Sequence, residues 1–328
     1  MSSMPPAGVR WAKPAWHPAL AAWREVAPHA ADPGAVEVLH ESQKSATYRL
    51  AGTGPAGAPL IAQRSMMAKA MIERTVYDQI LPQLPVTSPR YYGFRAESPE
   101  FAWLFLEDVG DEPYSVKNHE HRALAGGWVA RMHGAATSVV AARRLPDGGP
   151  ARYLDHLRAA RGSIRANLTN RALTPDDVAM LERLAAELDR LETEWPRIEC
   201  ACAGAPTTLT HGDFRPKNAL IRSDGQRLRL FPIDWELAGW GVPAADLTRI
   251  DLPSYWSVAR AFWPDLRFED VHRLACAGQV FQWLAATRWD ADQLVYEAAL
   301  CLSKPLASLR VVHTRLNDAL RALGEAAA

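Results

Sequence analysis

Between residues 35 and 106 the apolar positions fall in short runs that fit strands. Ala35–His40 and Thr47–Ala51 are two such runs, and the turn cluster GTGPAGAP at 52–59 leads into a third, Leu60–Gln63. The period then changes. Met67, Met71, Ile72, Val76, Ile80 and Leu81 recur at helical spacing across Met66–Leu81. Arg90–Arg95 and Phe101–Leu106 return to strand character. The pattern predicts a small antiparallel sheet carrying one helix, followed by a polar hinge at 107–112.

Beyond the hinge the periodicity is helical. Arg122–Val139 has helical spacing, and Thr174-Pro175-Asp176-Asp177 supplies an N-cap, a first-position Pro and acids for a helix running to about Glu194. Residues 268–288, 290–302 and 305–324 predict further helices, and Asp251–Trp256 reads as a loop. Upstream, 1–34 is a Pro- and Trp-rich extension with one short helix near His17–Val26. The chain therefore reads as an extension (1–34), a β-rich lobe (35–106), a hinge (107–112) and a helical lobe (113–328). A cleft between two such lobes is a favoured place for a ligand.

Composition narrows the partners. Lys+Arg and Asp+Glu both number 37, so the net charge is zero and lacks the basic footprint expected of a nucleic-acid or membrane-surface binder. No apolar run approaches the roughly 20 residues of a membrane span, and the opening segment lacks a signal-peptide core, so a cytoplasmic location is expected. The four cysteines have no zinc-ligand spacing and read as reduced thiols. His119 and His121, two apart on a helix, would point to different faces and do not suggest a metal site.

The chemistry concentrates at His211-Gly212-Asp213-Phe214-Arg215-Pro216-Lys217-Asn218, followed by Ile233-Asp234-Trp235-Glu236. This is H-x-D-x-x-x-x-N with a second Asp twenty-one residues after the first, the arrangement used in protein-kinase phosphoryl transfer. An acceptor hydroxyl needs a carboxylate to orient it and take its proton, which suits Asp213. Magnesium on the nucleotide phosphates needs hard oxygen ligands, which Asn218 and Asp234 can supply. Ala219–Arg222 and Leu228–Phe231 flank Ser223-Asp224-Gly225-Gln226, a strong hairpin signal. Closing that hairpin sets Asn218 roughly opposite Phe231 and brings Asp234 near Asn218.

These residues carry a resemblance. HGDFRPKN…PIDWELAGWGVPAADL is similar to the aminoglycoside phosphotransferase and choline kinase-like family over roughly 35–300, since HGD and IDWE are typical of that family and not of protein kinases. The resemblance implies an α+β, protein-kinase-like two-lobed fold with a small antiparallel N-lobe sheet, one helix and a larger helical C-lobe. It implies ATP or GTP as co-substrate, Mg2+ and a small-molecule acceptor. Asp213 would be the base, Asn218 and Asp234 the metal ligands, His211 a brace and Asp246 a structural acid. Arg215 falls where protein kinases place a Lys that meets the transferred phosphate, and Glu107 and Val109 would meet the base through their backbone.

One position departs from the pattern. Kinase-like folds carry a third-strand Lys that touches the phosphates and pairs with a helix Glu. Glu73 suits the partner, but the Lys position holds Gln63, and Arg64 points to the other face. Three readings stay open: Gln63 binds phosphate with less charge, Lys44 in the Ser42–Ser45 turn reaches in, or the chain is a degenerate, non-catalytic nucleotide-binding module. For the acceptor, six of twelve Trp lie between 235 and 289. With nearby acids they could hold an amine by cation–π and charge pairing. Glu236, Trp240, Asp251, Tyr255 and Trp256 are the candidate contacts. The acceptor itself and the oligomeric state are not readable from the sequence.

Overall fold

The computed structural model describes residues 16–225 and 227–327. In chain order its main elements are α1 (Pro18–Val26), β1 (Ala35–Glu41), β2 (Ser45–Ala51), β3 (Leu60–Met66), α2 (Met67–Arg74), β4 (Tyr91–Ala96), β5 (Phe101–Glu107), α3 (His119–Ala136), α4 (Pro150–Ala166) and α5 (Pro175–Thr193). They continue with α6 (Trp195–Cys202), β6 (Thr208–Thr210), β7 (Ala219–Asp224), β8 (Arg227–Pro232), β9 (Gly239–Gly241), α7 (Leu252–Ala259), α8 (Phe268–Ala291) and α9 (Ala299–Ala327). The fold is α+β. It divides into two compact units, Met1–Ser115 with Arg215–Ala238, and Val116–Phe214 with Gly239–Ala328.

In the first unit a five-stranded antiparallel sheet has the order β1-β2-β3-β5-β4. One face is covered by α1, whose Leu20 and Trp23 pack with Val36, Tyr48, Leu50, Leu60, Trp103 and Phe105. The α2 helix differs from its periodicity. Met71 is 43% exposed, whereas Glu73 is fully buried beside Ala70. The inward face is set by a polar contact from Glu73 to the sheet. After α2 the chain widens into one π-helical stretch, Thr75–Ile80, which buries Val76, Tyr77 and Ile80. The β7–β8 hairpin belongs to this unit and is tied to the chain after β5, where the Tyr114 amide donates to Ala219 O and the Ile221 amide donates to Glu112 O.

The second unit is mainly helical, with β6 and β9 paired as a small antiparallel ribbon. Thr174 caps α5, as its sequence predicts, and its bond with Asp177 is reciprocal. Two expectations are corrected. Residues 290–302 and 305–324 do not form separate helices: Asp292–Val295 is a 3-10 turn, and α9 runs through Pro305. An interior Pro usually costs about 3 kcal/mol, but the buried stripe Leu302, Leu306, Leu309, Val312 and Leu316 holds the helix together across it. Nor is Asp251–Trp256 a loop. Asp251 is the N-cap of α7, accepting from the Ser254 amide at 2.9 Å and the Ser254 hydroxyl at 2.6 Å. The sequence pattern also missed α4 and α6. The first half of the expected extension, and Gln226 in the expected turn, lie outside the described residues.

Candidate active site

In the first unit, β3 places Gln63 opposite Thr47 and Leu104. Its side-chain amide donates to Glu73 Oε2 at 2.9 Å, so the expected strand–helix pairing forms with a neutral amide in place of an ammonium. Arg64, one residue on, turns to the other face and pairs with Glu97 at 2.6 Å. Burial, then the nearby charges of Asp234 and Glu236, push the Glu73 carboxyl up to about 8. Hydrogen bonds from Gln63 and the Trp235 backbone oppose that shift without cancelling it. At neutral pH this carboxyl is mostly protonated.

The hairpin pairs Ala219 with Pro232 and Asp224 with Arg227, and the Ile233 amide donates to Asn218 O at 2.9 Å. Asn218 therefore faces Ile233, not Phe231, because the ladder extends beyond the apolar runs through Ser223 and Asp224. This shift brings the Asn218 backbone up to the residue next to Asp234. Asp234 has φ 65°, a left-handed conformation uncommon outside Gly and best tolerated by Asn and Asp. Lys217 Nζ lies 3.9 Å from its carboxylate. The adjoining Glu236 does not join the helical unit: it is ion-paired with Lys69 of α2 at 2.7 Å.

Asn218 and Asp234 offer an amide and a carboxylate oxygen, a donor set that fits magnesium. No group of three or more His, Cys, Asp or Glu able to hold a metal occurs among the described residues. Magnesium does not need one, since it takes one or two carboxylates and completes its shell with water and phosphate. The Ser42–Ser45 turn is closed upon itself. Ser42 Oγ accepts from the Ser45 amide at 3.1 Å and the Lys44 amide at 3.4 Å, so these amides already have partners. Lys44 itself is exposed. At the end of β5, the Glu107 amide donates to Arg90 O at 2.8 Å and its carboxylate accepts from Arg222 at 2.8 Å. Val109 is buried.

In the second unit, one fully buried carboxylate organises the loop that carries Asp213. Asp246 accepts the amides of His211 at 2.7 Å and Gly212 at 2.9 Å, and His133 Nε2 at 3.2 Å. Burial acts against its ionisation, yet its bonds to His133 and the His211 backbone hold the carboxyl below the usual range. Gly212 has φ 77°, which lets both amides reach Asp246. On its other side, His133 Nδ1 lies within hydrogen-bond distance of the Tyr255 hydroxyl, at 3.1 Å. Tyr255 is therefore not placed as an acceptor contact: it is 1% exposed and tied into this network. Burial and Asp246 raise its hydroxyl well above the usual tyrosine range, so it stays a donor. The Asp213 amide reaches back to His211 Nδ1 at 3.4 Å.

The other acceptor candidates have partners already. The Arg143 guanidinium lies 5.8 Å from the Trp240 ring centroid and Arg260 lies 5.0 Å from that of Trp256, so arginine takes the cation's place on both rings. Asp251 is occupied as a cap, and Trp235 is fully buried core. Sequence reasoning missed His133 and Lys69. Neither sits in a motif, and a single His in an apolar helix or a Lys on an amphipathic one carries no signal of its own.

A family profile described as the phosphotransferase enzyme family matches residues 36–270, and the chain belongs to that family. Solved structures share the fold at low identity. A spectinomycin phosphotransferase in complex with ADP and spectinomycin has 9% identity and a TM-score of 0.56, over 89% of this chain and 94% of that one. The GDP complex of a mutant aminoglycoside 2'-phosphotransferase gives 13% and 0.62, over 90% and 96%. Choline kinase from Cryptosporidium parvum gives 13% and 0.57, over 88% and 89%. No curated protein matches the sequence significantly. Among the described residues no helix is long and apolar enough to cross a membrane.

Proposed function

We propose that this chain moves the terminal phosphoryl group of a magnesium nucleotide, ATP or GTP, to a hydroxyl of a small acceptor. Asp213 orients that hydroxyl and accepts its proton. Asn218 and Asp234 hold the metal, which when bound neutralises charge on the phosphates. Arg215 stabilises charge on the transferred group, and the Glu107–Val109 backbone meets the base. The observation that carries the proposal is the hairpin register, which sets Asn218 against Ile233 and leaves Asp234 left-handed beside it. The structures sharing the fold are named for spectinomycin, aminoglycosides and choline, so amine-bearing acceptors are the first class to try.

Calorimetry of ATP and GTP binding, with and without magnesium, tests this on the wild type and Asp234→Asn. Asparagine tolerates the left-handed backbone and removes only the charge. Magnesium-dependent binding that weakens at least tenfold in the variant is expected. Equal affinities in the two folded proteins would sink the assignment. A second reading, a module that binds nucleotide without transferring phosphate, is motivated by the neutral Gln63–Glu73 contact. It predicts intact magnesium-dependent binding with no phosphorylated product from any amine-bearing acceptor.

A further inference from the structure

The cation that position 63 lacks has a candidate one helical turn from its partner Glu73. Lys69 and Glu73 are four residues apart on α2 and so share a helix face. Gln63 meets that face through Glu73, while Lys69 reaches Glu236, two residues beyond Asp234. The segment 234–236 therefore runs along the same face of α2, with Asp234 and Glu236 both close enough to act on Glu73. Two acids flank Glu73 here, and Lys69 is ion-paired with one of them, Glu236, at 2.7 Å. Its side chain is 34% exposed and that of Glu236 is 24% exposed, so the pair is open enough to exchange partners.

We infer that Lys69 has taken over the phosphate-binding charge that kinase-like sites keep on the third strand. This rests on the nucleotide reading above. Lys69 is ion-paired with Glu236, and a bound nucleotide's phosphates, at Asp234, draw it away. A four-carbon stem with a compact charge suits such a swing between two anions. Gln63 then keeps only the packing role, as a neutral partner for Glu73. The inference differs from a purely structural ion pair in one respect: Glu236 competes with the nucleotide for Lys69.

Calorimetry with magnesium-ATP, magnesium-GTP and the corresponding nucleosides separates the two. Lys69→Met should weaken the preferred triphosphate tenfold or more while leaving its nucleoside unchanged. Glu236→Gln should tighten the triphosphate several-fold, the opposite sign. Adding Gln63→Lys to Lys69→Met should restore most of the lost affinity, because the charge returns at the usual strand. A folded Lys69→Met protein, checked by its melting temperature, that binds the triphosphate like wild type would overturn the inference alone. Wild type that binds neither nucleotide would overturn the functional proposal and this inference with it.

Discussion

Two buried acids in this protein meet opposite fates. Asp246 collects two backbone amides and an imidazole within 3.2 Å, and remains ionised with no solvent exposure. Glu73 is equally buried, but its donors are only the Gln63 amide at 2.9 Å and the Trp235 backbone, and its neighbours Asp234 and Glu236 are acids. The number and charge of the donors decide the outcome, since burial acts alike on both. The first arrangement fixes a loop in one geometry. The second leaves an excess of acidic groups that a metal or a mobile lysine can balance.

The contrast can be broken at four places. Asp213→Ala should lower phosphoryl transfer by about two to four orders of magnitude, the scale of a positioned base, with little change in melting temperature. Steady-state product formation on an identified acceptor checks this. Asp246→Ala strikes the support and not the base. It leaves two buried amides and His133 without their acceptor, and should cost about 3–5 kcal/mol of stability in urea unfolding.

Glu73 gives a pH signature. Its folded value near 8 exceeds that of an exposed carboxyl, so the unfolded chain loses this proton first. Its contribution to stability is full below about 4.5, falls as pH rises and levels off above about 8. Glu73→Gln should remove that slope, making the variant more stable than wild type by up to a few kcal/mol at pH 8.5 and by little at pH 5. Urea melts of both proteins across that range, without metal or nucleotide, measure it. An identical pH dependence would mean that Glu73 is ionised and differently solvated. The smallest effect belongs to the α7 cap: Asp251→Ala should cost about 1 kcal/mol, read as a lowered melting temperature.

Much of this site was legible because its signals are local. The His211–Asn218 motif, the Asp-Gly turn and the Thr174 capping box each lie within a few residues, where spacing reports geometry directly. Gln63 and Glu73 were legible as partners because strand alternation and a known pairing rule name both. The losses are long-range. His133 reaches Asp246 across 113 residues and Lys69 reaches Glu236 across 167, and no periodicity encodes such a meeting. The α7 start was misread because Asp-Leu-Pro-Ser carries both loop and N-cap chemistry, and only packing against α3 decides between them. At Gly126 of α3 an added methyl would come within 2.5 Å of Asp251 O, a measure of how closely those helices meet. The expected break between 302 and 305 is absent for a similar reason: Pro305, a local breaker, is outweighed by the buried stripe on either side of it.

The left-handed backbone at Asp234 bears on how this lineage can drift. Few side chains accept that conformation, chiefly Gly, Asn and Asp, and of these Asp alone brings a negative charge. A descendant released from selection for phosphoryl transfer could slide to Asn or Gly here at little cost to its fold. At position 234 the backbone is thus met equally by uncharged residues, and the negative charge of Asp is one that the architecture does not demand.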